Sequence, residues 1–595
     1  MNKILSGLTT GITVFTLSAL AASCVDHDYD LAEDIDLTVA VGGDKLTLPA
    51  SSLQALRLTD IFDLDDDSSI KEAAEGEYGL SQGDYVLVQA GDPTESDFHI
   101  GNVEIKDNTG SRTTIEIPAF EAPGTATVDV TTPETENYFE LKADDVTTDL
   151  VELDEVVLDM DIDFAISFTS ATNYDGKATL LTGYEIIFDD NWTVEAGAAS
   201  ADRVTIADGH IVRFTRDVTC EMGQPLNIDV KVVKVDLRNA PAGQGLYAPG
   251  HFKLESTIKS KGTVRFGNGS AASAGTMESV TLVTETTVSD GLITAVTGIV
   301  DPEITIGDSR FSINDVPDFL ADEENSLDVD NPRFYVSVTN TSPVAIELNA
   351  DLASFSNSNP DTPYAIAKIG AKYGTDPVIV DGNGTTVILV SQQPLSVAGT
   401  KNIVVANLSD LIRTIPDFMI FENVEAEAVA QPVTLELAPT YDFTTDYEAV
   451  IPLAFGADMF LHYTDVENDW DVDDLDKYSF KEVVLTFTAT NTIPLKLTPQ
   501  VIGLDRNGNE VTNVTAEVIG DVEAGSISNP SVSPLEIHLR CASGTDLGTL
   551  DGVRLVFDAV SAPGFTGENL NANQALVFTD VIVTVLGGAV IDLND

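Results

Sequence analysis

The sequence predicts an all-β protein built as several β-sandwich domains in tandem with few short helices, and three observations carry that expectation. Leu158, Met160, Ile162, Phe164, Ile166 and Phe168 alternate with Asp159, Asp161, Asp163, Ala165 and Ser167, the period of two that puts one face of a strand in a core and the other in water. Two stretches repeat one pattern of strand, Asn turn, proline and strand: Val338-Thr339-Asn340-Thr341-Ser342-Pro343-Val344 and Ala489-Thr490-Asn491-Thr492-Ile493-Pro494-Leu495. Long helical periodicity is missing, and 595 residues are too many for one core, so about three or four domains are expected.

Taken in order, the chain begins with an address. Lys3 gives a positive start, Ile4 to Leu20 is a short apolar run, and Ala21-Ala22-Ser23 leads into Cys24. Small residues before a cysteine at the end of such a run read as a lipoprotein signal peptide over 1–23, cleaved to leave an acylated Cys24. The run is too short and too rich in Thr, Ser and Gly for a membrane span of about 20 apolar residues. Diacylglycerol on the thiol and an acyl chain on the new amino end would make anchoring permanent, at about 0.8 kcal/mol per buried CH₂. The alternative is ordinary cleavage after Ala21, which leaves a soluble secreted chain with an incidental Cys24.

Residues 24–38, with Asp26, Asp28 and Asp30, read as an acidic tether. Residues 39–122 read as a small β-rich module: Val39-Ala40-Val41 and Leu46 to Leu48 form a hairpin around Gly42-Gly43-Asp44, Ser52 to Phe62 forms a helical turn or two, and Tyr85 to Val88 and Thr113 to Ile117 are strands. A sandwich domain over 123–300 contains the long alternating strand. Ile228, Val230 and Val232 change parity to Val233, Val235 and Leu237, which predicts a β-bulge. Sandwich domains over 301–440 and 441–595 carry the two Asn-turn motifs. A second echo pairs Val316-Pro317-Asp318-Phe319-Leu320 with Ile415-Pro416-Asp417-Phe418-Met419. Unlike spacings predict related modules with different insertions, not a solenoid. Leu504 to Asn509 reads as an Asn-Gly hairpin, and Val581, Val583 and Val585 as a closing strand before Gly587-Gly588.

A net charge of -67, from 97 Asp and Glu against 30 Lys and Arg, repels phosphate backbones and anionic headgroups, so neither nucleic acid nor electrostatic membrane docking is expected. A hydrophobic content of 43% is enough for a folded chain. Cys220 and Cys541 fall in different expected domains and read as free thiols. There is no CxxC, HxH or HExxH, so the pattern offers neither a zinc site nor a histidine triad.

Gly79-Leu80-Ser81-Gln82-Gly83 matches G-x-S-x-G, but that nucleophile works at a strand-to-helix elbow, and here a strand follows. The glycines therefore read as turn residues. Asp159, Asp161 and Asp163 stand about 6.6 Å apart along a strand, too far apart to share a calcium ion that takes oxygens at about 2.3 to 2.6 Å. Asp469 to Asp474 lies closer to a calcium loop, yet it lacks the sixth-place glycine and has Phe480 at the twelfth place. Asp505 to Glu510 reads as an ordinary hairpin. Trp192 and Trp470 are the only tryptophans, each a core or sheet-covering residue before it is a sugar platform.

The lipid cysteine, Val41 to Pro49, Val316 to Leu320 with Asn331-Pro332, and the closing Gly587 to Asn594 resemble Bacteroidota-type outer-membrane lipoproteins of unassigned function. More loosely, the Asn-turn module is similar to late-embryogenesis-abundant-type β-sandwiches. The resemblance implies a surface or periplasmic β-sandwich protein and supplies no catalytic residues.

The expected function is thus non-catalytic: an exported protein, held in membrane lipid through Cys24, that binds or scaffolds at the outer membrane or cell surface. A glycan or protein partner is open, and no cofactor or metal is assigned. A fimbria-like subunit that donates a strand is the first rival, distinguished by a missing or swapped strand at 576–586. A glycan-acting enzyme is the second, and would show two facing carboxylates in a pocket.

Overall fold

The computed structural model describes residues 39–41, 43–49, 55–59, 69–107, 110–121, 125–172, 174–238, 240–267, 269, 275–313, 316, 320, 325–467, 478–542, 547, 550–587 and 589–591. The signal peptide, Cys24, the acidic tether, the Asp469 to Asp474 loop with Trp470, and most of Val316 to Leu320 lie outside the described residues.

Among the described residues nearly all regular structure is strand, gathered into sheets that pack face to face as sandwiches, with short 3-10 turns such as Glu77–Gly79, Ala371–Tyr373 and Leu408–Ile412 and a few helical residues such as Leu58 and Thr59 beside them. The alternation read from sequence is the strand Leu150–Ser170, and its six apolar side chains from Leu158 to Phe168 are all buried. This strand is long enough to serve two neighbours on one side: Gly291–Val300 pairs with its first half and Val280–Val288 with its second. The predicted parity change is present. Opposite Val232 and Lys234 the ladder shifts register between Val157 and Met160, and the neighbouring ladder to Trp192–Ala196 shifts at the same place.

The repeated Asn-turn motif marks two sandwiches of the same topology. In the first, Arg333–Asn340 lies between Gly384–Ser391 and Thr440–Pro452, while Ile346–Phe355 crosses to a second sheet beside Phe418–Ala428, whose other neighbour is Ser309–Ser312. In the second, Glu482–Asn491 lies between Ser531–Cys541 and Ala575–Leu586, while Leu495–Leu504 crosses to lie beside Gly552–Ser561, whose other neighbour is Phe460–Glu467. The motif is the corner at which the chain changes sheets, and the same atoms build it twice. Asn340 is fully buried. Its Nδ2 donates to the Val344 and Asp381 carbonyls at 2.7 and 3.3 Å, and its Oδ1 accepts from the Ser342 N–H at 2.9 Å. Asn491, also fully buried, places Nδ2 within 3.0–3.2 Å of the Ile493, Leu495 and Glu523 carbonyls, and its Oδ1 accepts from the Ile493 N–H at 2.8 Å.

The threonine after each Asn staples the corner to the next long strand. The Asp442 N–H donates to Thr341 Oγ1 and the Ala575 N–H to Thr492 Oγ1, each at 2.7 Å. Each corner also meets a glycine on the returning chain, because a Cβ on Gly382 would sit 2.5 Å from the Pro343 carbonyl oxygen and one on Gly525 would sit 2.0 Å from that of Asn491.

The segment 39–122 differs from the module expected of it. Strands β1 (Val39–Val41), β2 (Lys45–Pro49) and β3 (Leu56–Arg57) pair with the C-terminal strands Ala589–Ile591 and Ala575–Leu586. Strand β4 (Ile70–Glu72) pairs with β5 (Tyr85–Ala90), and β5 and β6 (Thr94–His99) both pair with Thr440–Pro452. Strands β7 (Val103–Asp107) and β8 (Ser111–Glu116) join the sheet of Leu150–Ser170 through Gly291–Val300 and Val280–Val288. The chain therefore runs down all three bodies in reverse order and adds strands to each, most of them along an edge, with β7 set between Gly291–Val300 and Thr135–Ala143. The physical reason is composition: β6 offers Phe98 and β8 offers Ile115 as their only large apolar residues, too little for a core of their own.

Two local expectations change with it. The segments around Gly42-Gly43-Asp44 do not form a hairpin; Gly43, at φ 60°, turns a corner that Gly587, at φ 83°, turns beside it, and the Gly587 N–H donates to the Asp44 carbonyl at 3.0 Å. Within Ser52 to Phe62, where a helical turn was expected, Leu56 and Arg57 are strand and the helical residues are Leu58 and Thr59, which follow directly. Thr440–Pro452, which straddles the expected boundary at 440/441, belongs to the first Asn-turn sandwich.

Candidate functional site

On the strand Arg333–Asn340, Phe334, Val336 and Val338 point into the main core, so Arg333 and Tyr335 point to the opposite face. That face is not left to water. Ala73, Leu80, Val86 and Val450 form a small second core on it, with Tyr78, Val88 and Tyr335 packed against its rim. The cover is residues 73–83, the stretch that holds Gly79-Leu80-Ser81-Gln82-Gly83. Four left-handed residues fold this flap back on itself: Gly76, Tyr78, Gly79 and Gly83, at φ 79°, 53°, 73° and 82°. Three are glycines, for which that region is unstrained. Tyr78 is not, and holding a bulky side chain there costs about 1 kcal/mol or more.

Tyr78 is also the flap's latch. Its carbonyl accepts from Arg333 Nη1. Its hydroxyl donates to Glu448 Oε1 at 3.2 Å, its ring lies 5.7 Å from that of Tyr335, and Lys71 Nζ sits 5.1 Å from its centroid. At the base of the flap Gly83 N–H returns to the Ala73 carbonyl at 2.9 Å, and Asp84 is buried. The Asp84 carboxylate accepts from the Ser81 N–H, Asn569 Nδ2 and Asn571 Nδ2 at 2.9–3.0 Å, which ties the flap to the C-terminal sandwich.

Burial pulls the Arg333 guanidinium below the usual arginine range, against the opposing pull of Tyr335 and Asp84, and pushes the Tyr335 hydroxyl up. Arg333 Nε, Tyr335 Oη and Asn569 Oδ1 are buried polar atoms with no hydrogen-bond partner. Buried polar groups are nearly always paired, so each such atom calls for an explanation.

The Ala74 N–H at 2.9 Å, with Lys71 at 3.4 Å, holds Glu77 below the usual carboxylate range. An acid with a depressed folded pKa contributes stability that is complete above its unfolded value near 4.5 and is lost as pH falls through the folded one. Amide exchange of residues 74–83 at matched intrinsic rate is therefore expected to speed up on acidification below that value, and in Glu77→Gln the pH step should be lost. A flap whose protection is the same on both sides of that value would exclude the Glu77 latch.

The other sequence candidates are dispersed. Ser81 is exposed on a turn before β5, as the glycine reading expects, and no helix follows. Asp159, Asp161 and Asp163 are exposed at alternate positions, with Lys231 2.7 Å from Asp159. Asp505 Oδ1 closes its own hairpin by accepting from the Asn507 and Asn509 N–H groups at 2.8 Å. Trp192 is a core residue, edge-on to Phe139 at 5.5 Å. Cys220 is a free thiol that burial pushes up to about 11, and Cys541 Sγ lies 4.0 Å from the Phe480 carbonyl. Among the described residues no cluster of His, Cys, Asp and Glu could hold a metal ion, and no helix is long and apolar enough to cross a membrane.

Sequence reasoning missed Arg333 altogether. Its one signal was a cation among alternating apolar residues, Arg333-Phe334-Tyr335-Val336, next to the Asn331-Pro332 that entered only as part of the family resemblance. It missed two tyrosines as well: Tyr138 and Tyr247, 50% and 47% exposed, flank Glu140, Lys142, Lys253 and Glu255 on the outer face of one sheet.

No protein-family model matches the chain, and no curated protein does. Among solved structures, the chain is similar to a protein from Parabacteroides distasonis ATCC 8503 described as secreted, at 12% identity and a TM-score of 0.36 over 49% of this chain and 90% of that one. It is also aligned with the structure of Sulfolobus Turreted Icosahedral Virus, at 10% identity and a TM-score of 0.11 over 79% and 91%, and with a triple jelly roll protein of an archaeal virus turret, at 11% and 0.10 over 78% and 90%. At these scores the all-β fold rests on the chain's own strands and pairings, and none of the three lends it a function.

Proposed function

We propose that this is an exported, non-catalytic binding protein of the bacterial envelope, tethered to membrane lipid through Cys24. One observation carries the preference for a binder over a strand-donating subunit. The C-terminal strand Ala575–Leu586 is bonded on both sides within its own sheet, to Glu482–Asn491 on one side and to β2 and β3 on the other. A subunit that polymerises by strand addition needs an open groove or a spare strand, and here the strand at issue is neither missing nor swapped. The partner is a glycan or a protein, met through the flap-covered face or through the half-exposed Tyr138 and Tyr247. Aromatic rings beside carboxylates on a rigid sheet suit sugar rings and their hydroxyls.

The anchor is tested by fractionating cells that express the native chain or Cys24→Ser, followed by protease shaving of intact cells. The native protein should pellet with membranes and the variant should be released. Equal membrane association of both would remove the lipid anchor. Cleavage of the native protein by external protease would place it on the cell surface, and protection would place it inside the outer membrane.

A further inference from the structure

We propose that the face beneath the 73–83 flap is an oxyanion site, in which a carboxylate or phosphate group accepts from Arg333 Nε and the Tyr335 hydroxyl. The inference goes beyond the binding reading and does not depend on the Cys24 anchor. It begins from charge. Arg333 is only 6% exposed, yet its one protein acceptor is the neutral Tyr78 carbonyl. Asp84 is near enough to act on it, but Asp84 spends its oxygens on Ser81, Asn569 and Asn571. A buried charge without a counter-ion is among the costliest arrangements a fold can hold, and the usual remedy is an ion pair.

Geometry points the same way. Arg333 and Tyr335 are two residues apart on one strand, so their side chains rise side by side from the same face. Each presents a buried donor with nothing to accept it, the guanidinium Nε–H and the phenolic O–H. Two adjacent donors, one of them cationic, are the complement of a group that only accepts and carries negative charge. Arg333 Nη1 is held by the Tyr78 carbonyl of the flap, while Nε on the same guanidinium is buried and keeps its donor unused. Glu448, opposite Tyr335 on the neighbouring strand, accepts from the Tyr78 hydroxyl through Oε1 and leaves the Tyr335 hydroxyl and Arg333 Nε without a bond. The flap, closed by Tyr78 in a strained conformation, supplies both the water-excluding cover and the way in.

The test uses the full mature chain, with thermal unfolding followed at neutral pH and fixed sodium concentration, so that screening of the acidic surface stays constant. Chloride is replaced stepwise by acetate, phosphate or glucuronate, with glucose as the uncharged counterpart. The expected result is a saturable rise in Tm with the oxyanions and none with glucose or with chloride alone. In Tyr335→Phe the midpoint concentration should rise about tenfold, the effect of losing one hydrogen bond to a charged group. In Arg333→Gln the dependence should vanish. Should Arg333→Gln fail to fold, Tyr335→Phe carries the test, since it removes one oxygen atom and leaves the ring against Tyr78. Equal potency of acetate and glucuronate would assign the site to a free oxyanion, and a much lower midpoint for glucuronate would assign it to an acidic sugar. The same anion dependence in all three proteins, or chloride matching the oxyanions, would overturn the proposal.

Discussion

A mature chain lacking residues 39–57 is expected to lose its C-terminal sandwich while the body built on Leu150–Ser170 stays folded. The deletion takes away five cross-strand residue pairs of β2, three of β1 and two of β3. At a net 0.5 to 1.5 kcal/mol per hydrogen bond, with about one bond per pair, the loss is about 5–15 kcal/mol. That is comparable with the whole stability of a domain. It also leaves one edge of Ala575–Leu586 bare, an invitation to aggregate. The other two bodies take their edge strands from β4 to β8, beyond the deletion. Urea unfolding followed by limited proteolysis should therefore show an early transition confined to the C-terminal sandwich. A single unfolding transition at the native midpoint would refute this account of the N-terminal segment as a strap.

The second large effect is expected at the sheet-changing corners. Asn491→Ala strands the Ile493, Leu495 and Glu523 carbonyls and the Ile493 N–H in a buried site. Each buried group left without a partner costs about 1–3 kcal/mol. Relaxation and entering water recover some of it, so the net loss should be about 3–5 kcal/mol. Asn340→Ala leaves the Val344 and Asp381 carbonyls and the Ser342 N–H unserved and should cost a similar amount in the other sandwich. Because the two corners share no partner, the effects should add when both are changed. Denaturant midpoints of the single and double variants check this. A loss under 1 kcal/mol at either corner would mean that the asparagine there is ornamental.

The fold class was legible because its cause is local. A strand's period of two is written in neighbouring residues, as in Leu158 to Phe168, and a bulge is written in the parity change at Val232 and Val233. The Asn-turn echo was legible as a turn for the same reason, since asparagine, threonine and proline act on the backbone beside them. What the turn joins was hidden. Gly382 and Gly525, pressed against the two corners, look in sequence like any other glycines, because the carbonyl that forbids a Cβ belongs to a distant part of the chain.

The candidate site was less legible still. The motif Gly79 to Gly83 was found, and its reading as turn glycines fits a stretch in which both are left-handed. The sheet it covers, however, brings Lys71 and Tyr78 together with Arg333, Tyr335 and Glu448 from elsewhere in the chain. None of these stands out in composition. Arg333 becomes unusual only when the flap closes over it and its charge is left without a partner.

By itself, then, the sequence determined that this chain makes strands, where many of them bend, which faces are apolar, and that one corner is built twice. Tertiary structure alone decided which strands pair, and so that residues 39–116 are shared among three bodies instead of forming one. The reason is physical: an edge strand's hydrogen bonds are made by the backbone, which is the same at every residue, so its partner is chosen by which sheet has an unpaired edge of matching register and not by anything written in the strand.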